Sequence, residues 1–377
     1  MVVVPTSPDA VRRVAEAFTR SPERPGLFEE LSVALQHVVP FDAVAWFATD
    51  PLTLLPTAPA HCQGLPPDCW SAYWNAEFND QDVLLFQDLA RSTTTADSLW
   101  HATDGNPERS PRYRARLVGA GFGDELRAVF RAGTAVWGVV NLFRRTSGAH
   151  FTTAECAVLQ AVGPAIAAAL RARVVMPESG VSGVSGVSGV SGGSASAGQG
   201  VGTALFTHEG RLVSLDADAA SWFRGFAGRD WNAPLQAQAM VAVTAVVARA
   251  NAVGNGRARG ASISRVRTDG GRWTVLSASP SRTPGGDLGL TSLVVERARP
   301  SQTAALLIEA FCLTSREREI VQAIAHGCSN DEIGRRLNLS AHTVRDHLTS
   351  IFDKVHVSTR GELAAHLFAE GGGSFVA

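Results

Sequence analysis

The sequence predicts a multidomain chain: two α+β modules, each an antiparallel sheet with flanking helices, followed by an all-α module of four short helices. Three observations carry that expectation. Residues 313–368 hold four helix-start signals with apolar residues spaced between them. A Val-Ser-Gly repeat splits the remainder of the 377 residues in two. On either side of the repeat, apolar runs bounded by turn residues alternate with longer amphipathic stretches.

The totals set the bounds. The length suits two or three domains, and 45% hydrophobic with 18% charged residues is the composition of a folded chain. A net charge of -1 gives no general affinity for acidic partners. Lys354 is the only lysine, and this arginine-rich, Ala/Gly/Val-rich usage suggests a GC-rich bacterial genome. The N-terminal MVVVPTSPDAVRR has too short an apolar run for a signal peptide, and no stretch of eighteen uninterrupted apolar residues suggests a membrane span. Cys62, Cys69, Cys156, Cys312 and Cys328 are odd in number and scattered, which fits a reducing cytoplasm. The expected location is therefore cytoplasmic.

Residues 1–175 form the first expected domain. Helices at Pro8–Phe18 and Gly26–Val38 precede a buried strand, Phe41–Ala48, between Pro40 and Asp50-Pro51. Trp70 to Leu89 suits one or two aromatic-rich helices. Asp124 to Arg131 alternates polar and apolar residues, and Ala132-Gly133-Thr134 turns it into a second strand, Ala135–Arg144. Thr152-Thr153-Ala154-Glu155 caps a closing helix towards Arg173, with a kink expected at Pro164. This order resembles a GAF-type sensory domain.

Within it, Trp70, Tyr73, Trp74, Phe78 and Phe86 cluster with Asp80 and Asp82. Aromatic walls with a few acceptors suit a small, partly apolar ligand, so Trp70, Tyr73, Trp74, Phe78 and Asp82 are the candidate pocket. Aromatics at helical spacing are more often plain core, and that reading stands beside it. The W-x3-W…D arrangement faintly resembles the acyl-homoserine-lactone pocket of short quorum-sensing LuxR proteins, at a poorly matching spacing. His61, Cys62 and Cys69 lack a second ligand pair at zinc-knuckle spacing and fit surface-loop thiols better, so no metal is expected. Gly123-Asp124-Glu125-Leu126 lacks the glycine pair of a cyclase signature.

Residues 176–200 are the expected linker. Val-Ser-Gly triplets cannot bury a core; such a tether of about twenty-five residues spans on the order of 25–30 Å. Residues 201–298 follow with hairpin strands Thr203–Phe206 and Arg211–Leu215 and helices Ala217–Phe223 and Leu235–Asn251. Strands Ala261–Arg267, Arg272–Ala278 and Leu288–Glu296 complete the domain, with a turn at Asp269-Gly270-Gly271. This β-β-α-α-β-β-β order resembles a PAS domain. His208 lies in a hairpin turn and the segment holds no cysteine, which counts against haem and a flavin adduct; no cofactor is expected, and a dimer scaffold is favoured over a ligand site. Residues 299–312 form a connecting helix. An insertion near Ser301 is expected to uncouple the module that follows, whereas deleting the repeat is not.

The last module, residues 313–377, is the most legible. Thr314-Ser315-Arg316-Glu317 and Ser329-Asn330-Asp331-Glu332 are capping boxes, Thr359-Arg360-Gly361-Glu362 is a third, and Ser340 is a simple N-cap. Ile320, Val321 and Ile324 line the first helix, which Gly327 can end in a left-handed conformation. Ile333 and Leu337 line the second, where Gly334 is expected to allow a close helix crossing. Val344, Leu348, Ile351 and Val355 line the third, which leaves His342, Arg345, Asp346 and Thr349 facing out. A short helix, a turn at Asn338-Leu339 and a longer helix with a polar outer stripe is helix-turn-helix geometry.

Here the chain is identified as resembling the LuxR-type DNA-binding domain. Its blocks stand as Leu313–Glu319, Gly327–Ile333, Leu337–His347 and Lys354–Arg360. The resemblance implies that the outer face of the third helix enters the major groove, with Arg345, Asp346 and Thr349 facing bases. It also implies Ser329, Asn330, Thr343, Lys354 and Arg360 near phosphates. The family usually has Ala at the position of Gly334 and Gly at that of His356. Asp346 would be repelled by phosphates unless it accepts from a cytosine amine. Basic and acidic residues balance in this segment, so it should bind modestly alone.

The implied function is transcriptional regulation: a dimer on a pseudo-palindromic double-stranded DNA operator, controlled by an unidentified signal. Rival readings are a quorum-type receptor for a small-molecule effector and an interaction scaffold run by a protein partner. A phosphorelay receiver lacks its lysine. No nucleophile-His-carboxylate set, phosphate loop or metal set points to an enzyme.

Overall fold

The computed structural model describes residues 27–66, 69–175, 200–227, 237–267 and 273–368. The expected helix Pro8–Phe18, the Val-Ser-Gly run and the turn at 269–271 lie outside them. The chain divides into two compact units. One comprises Met1–Arg173 with Gly180–Arg297, the other Val174–Ser179 with Ala298–Ala377.

In the first unit, α1 (Leu27–Gln36) leads to β1 (Ala43–Thr49) and β2 (Pro56–Gln63). Next come α2 (Trp70–Asn79), α3 (Phe86–Arg91), β3 (Ala96–Ser98) and α4 (Leu99–Ala102). β4 (Phe122–Ala132), β5 (Ala135–Arg145) and α5 (Thr153–Val175) complete this half. The five strands form an antiparallel sheet in the order β2-β1-β5-β4-β3. Gly133, at φ +64°, makes the two-residue turn between β4 and β5. Thr152 and Glu155 exchange hydrogen bonds at the start of α5, as a capping box does. The helix then continues through Pro164 to Val175.

Both faces of this sheet are covered. On one, Trp46 stacks between Phe28 of α1 and Phe130, and Gly138 leaves room for Leu170 of α5. On the other, Phe47 packs against Trp70 and Trp74 of α2. Among the described residues, α5 alone is long and apolar enough to cross a membrane; half of its apolar window is buried.

Two strands escape the sequence patterns. β2 carries Pro56 and Pro59, which an edge strand tolerates because its outer side needs no ladder donors. His61 and Cys62, expected in a surface loop, therefore stand on β2, and both are half-buried. β3 is too short to show a period.

The second half of this unit runs β6 (Gly202–Phe206), β7 (Leu212–Leu215), α6 (Ala217–Ala227), α7 (Ala237–Gly254), β8 (Ile263–Arg267), β9 (Trp273–Arg282) and β10 (Leu288–Arg297). Its antiparallel sheet has the order β7-β6-β10-β9-β8, the same ranking as the first: second, first, fifth, fourth, third.

The sequence divides this unit at the repeat, yet its halves share one hydrophobic core. α7 explains how. From Val241 to Ala248 every residue is buried, and a helix apolar all round must be covered on every side. Its own sheet covers one side; α2 and β2 of the first half cover the other. Polar ties accompany the packing. Thr57 Oγ1 donates to the Arg265 carbonyl at 2.6 Å, Ser264 Oγ to the Pro56 carbonyl at 2.8 Å, and Arg265 pairs with Asp50 at 2.6 Å.

The second unit holds α8 (Pro300–Ala310), α9 (Ser315–Ala325), α10 (Asn330–Leu337), α11 (Ala341–Val355) and α12 (Arg360–Phe368). Ile320, Val321, Ile324, Ile333, Val344, Leu348, Ile351 and Val355 are all buried in its core. Gly327, Asn338 and His356 adopt left-handed conformations at φ +77°, +57° and +57°. Gly334 serves the turn rather than a helix crossing: a Cβ there would meet the Leu339 carbonyl at 2.8 Å.

Candidate nucleic-acid interface and effector cavity

The caps fix the helices of the second unit. Thr314 and Ser329 accept from the amides of Glu317 and Glu332, and both carboxylates bond back. Ser340 caps α11 through the amide of Thr343, and its hydroxyl also lies 2.8 Å from that of Thr343. Thr359 Oγ1 accepts from the Glu362 amide at 3.1 Å.

On α11, His342, Arg345, Asp346 and Thr349 are exposed on the face away from the core. His342 Nδ1 lies 2.8 Å from Asp346 Oδ2, which gives this carboxylate a partner within its own helix. Thr349 Oγ1 donates to the Arg345 carbonyl at 3.1 Å. Asn330 and Arg360 are brought together: Arg360 Nη1 donates to Asn330 Oδ1 at 3.2 Å, and its other arm donates to the Cys328 carbonyl. Ser329 and Asn330 start α10, and Thr343 lies in the first turn of α11, where free amides favour an anion.

Lys354 stands differently from the other phosphate candidates. Its ammonium donates to both oxygens of Glu317, at 2.8 and 2.6 Å. Burial disfavours a charge on Glu317, but bonds from Lys354, the Thr314 amide and Ser350 outweigh it and hold its pKa at about 2. Lys354 is a structural tie, a role that spacing along the sequence cannot reveal.

In the first unit, a cavity of about 310 Å³ opens between the sheet, the start of α2 and the segment Arg112–Ala120. Of the five residues expected to form a pocket, only Tyr73 lines it. Trp70 and Trp74 are core against Phe47, and Trp74 stacks on Phe78 at 5.7 Å. The i, i+3, i+4, i+7 stripe Trp70, Tyr73, Trp74, Glu77 faces inward, as helical spacing dictates. The Asp82 carboxylate is buried, accepting from Ser110 Oγ at 2.8 Å and the Arg112 amide at 3.0 Å.

Asp82 apart, the sequence does not single out the charged residues of this site. Arg112 pairs with Asp82 at 3.2 Å and Glu125 at 2.8 Å; Arg127 pairs with Glu77 at 2.8 Å and lies 4.0 Å from the centre of the Phe86 ring. Tyr73 Oη accepts from Arg127 and Asn141. Burial pushes the Tyr73 phenol up to about 12. Burial also opposes charge on Glu125, but Arg112 and Arg127 win and lower its pKa. At Glu77 burial wins over Arg127, and the pKa is raised. Alternation along β4 suggests a wet face for Glu125 and Arg127; helices over both faces bury them instead.

Half-buried Arg116 closes the set. It donates to the carbonyls of Ala72 and Cys69, and its guanidinium carbon lies 5.6 Å from the centre of the Tyr73 ring. Three carboxylates, Glu77, Asp82 and Glu125, thus pair with Arg112 and Arg127, and with Arg116, bonded to carbonyls nearby, the formal charges of the six cancel.

A capped helix pair joined through a left-handed Asn338, with a longer helix presenting an exposed polar face, defines a helix-turn-helix module. Residues 312–367 match the model of the bacterial regulatory proteins, luxR family. This segment is a LuxR-type helix-turn-helix domain. It is similar to the transcriptional regulatory protein LiaR of Bacillus subtilis, 42% identical over 73 residues, covering 19% of this chain and 34% of that protein. It is also similar to the monoamine regulon transcriptional regulator of Klebsiella aerogenes, 47% identical over 53 residues, covering 14% and 23%. The chain thus spans about a quarter to a third of these curated relatives. Among solved structures, Escherichia coli SdiA overlaps 97% of this chain and 98% of its own, at 12% identity and a TM-score of 0.33. The ligand-binding domain of VqsR from Pseudomonas aeruginosa overlaps 43% and 94%, at 13% and 0.30. Both overlaps are too loose to define the fold.

Proposed function

We propose that this chain is a cytoplasmic transcriptional regulator that binds a pseudo-palindromic operator as a homodimer and responds to a small molecule in the cavity of its first unit. The observation that carries the reading is the exposed face of α11, on a domain of the luxR family. Arg345, Asp346 and Thr349 are the base readers in this proposal. Ser329, Asn330, Thr343 and Arg360 contact phosphates, and Lys354 lies near them while holding Glu317. The two half-sites lie about one helical turn apart.

The shared strand order of the two sheets supports reading them as GAF-like and PAS-like sensory modules. The cavity favours a small-molecule signal over a protein partner. Its mostly apolar lining, with Arg112 and Glu125 paired to each other, suits an uncharged, largely apolar molecule with one acceptor for Arg116. The test is operator selection from random duplexes, followed by native mass spectrometry. A palindromic consensus and a mass adduct lost in Arg116→Met are expected. Binding without sequence preference would refute the first part, and a clean dimer without adduct from any host extract the second.

A further inference from the structure

Away from the cavity and the DNA-binding domain, three donors of different chemistry converge. Asp97 on β3, His101 on α4 and Cys156 in the first turns of α5 each offer one ligand atom, all within 4.8 Å of one another. Asp97 and His101 are half-buried at the rim, and Cys156 is buried beneath them, so an ion entering from solvent meets the hard donor and imidazole before the thiol. We propose that these three side chains form a binding site for a borderline divalent cation of the zinc class, with water completing the coordination.

One donor–donor edge already has the length such an ion needs, and the others need only a modest closure. Zinc holds imidazole nitrogen and carboxylate oxygen at about 2.0–2.1 Å, so the edge between them in a tetrahedron is roughly 3.3–3.4 Å. His101 Nδ1 and Asp97 Oδ1 are 3.3 Å apart. The sulfur-to-nitrogen edge is roughly 3.6 Å with a zinc–sulfur bond of about 2.3 Å, so the thiol, within 4.8 Å of the other donors, closes by about 1.2 Å at most. A carboxylate, imidazole and thiolate together select zinc over magnesium or calcium, which take oxygen alone.

The surroundings favour a cation. The carboxylates of Asp97, Asp124 and Glu155 all lie near the Cys156 thiol. Their negative charge attracts a divalent ion, whose binding displaces the thiol proton to solvent. Asp97 Oδ1 also accepts from the Ser98 amide at 2.8 Å, which orients its carboxylate. Asp97 and His101 lie four residues apart, but Cys156 comes from a distant element, so the sequence alone does not announce the set.

The experiment uses the full chain, stripped with a chelator and dialysed against zinc or cobalt(II). One equivalent of zinc should be retained and should raise the melting temperature by several degrees. Cobalt should give a thiolate-to-metal charge-transfer band. Cys156→Ser should abolish that band, and His101→Gln, a change at the half-exposed rim, should weaken zinc at least tenfold without altering the melting temperature in chelator. Retention below one equivalent overturns the proposal. So does a band that survives Cys156→Ser, since Cys62, Cys69, Cys312 or Cys328 would then be the ligand.

Discussion

Lys354 Nζ lies 2.6 Å from Glu317 Oε2, so the last turn of the exposed helix is anchored to the carboxylate that caps α9. One side chain thus closes a capping box and joins two helices. Lys354→Met should therefore destabilise the second unit by about 1–3 kcal/mol, the range for a lost bond to a charged group. Denaturant unfolding, followed by amide signals of residues 313–368, measures it. A parent-like midpoint alongside weakened DNA binding would leave Lys354 as a phosphate contact only.

The same carboxylate makes the domain acid-sensitive. Its folded pKa, about 2, lies below the ordinary value of 4.5. The associated stability is complete above the unfolded pKa and is lost as pH falls from about 4.5 through about 2. Glu317→Gln should flatten that part of the pH–stability curve. An unchanged acid limb in this variant would count against the Lys354–Glu317 pairing.

Arg345 is the prediction for recognition. Arg345→Ala should cost on the order of 1–3 kcal/mol on the preferred operator and relax its sequence preference. Competition between specific and random duplexes at fixed salt is the measurement. Equal affinity for all sequences in parent and variant would show that α11 does not read bases.

Arg265 and Asp50 test the joint between the two sheets. Asp50 is buried and its pKa is raised, burial outweighing the attraction of Arg265. Arg265→Met leaves that carboxylate unpaired and should cost about 3 kcal/mol. Adding Asp50→Asn should recover part of the loss, because the orphaned charge is gone. Thermal melts of the two variants and the double variant complete the cycle.

Much of this was legible in the chain. Caps at Thr314, Ser329, Ser340 and Thr359 mark helix starts by local hydrogen bonding, and local rules survive folding. The same holds for the Gly133 turn. The cavity was not legible, because its chemistry depends on pairing across the fold. Arg112 meets Glu125 only when β4 lies beside the 110–117 segment, and Trp70 and Trp74, prominent in the sequence, are simply core. Likewise no pattern separates Lys354 as an anchor from Lys354 as a phosphate ligand.

One helix in the first unit is held from several sides at once. α2 presents Tyr73 to the cavity, while Ser71 and Asn75 donate to the carbonyls of Gly210 and Glu209 in the β6–β7 turn, and Phe78 lies under Arg249 of α7. A molecule that pushes on Tyr73 therefore cannot be accommodated privately. Displacing α2 by even a fraction of an ångström strains bonds in a sheet that never touches the molecule, and the two sheets must answer together.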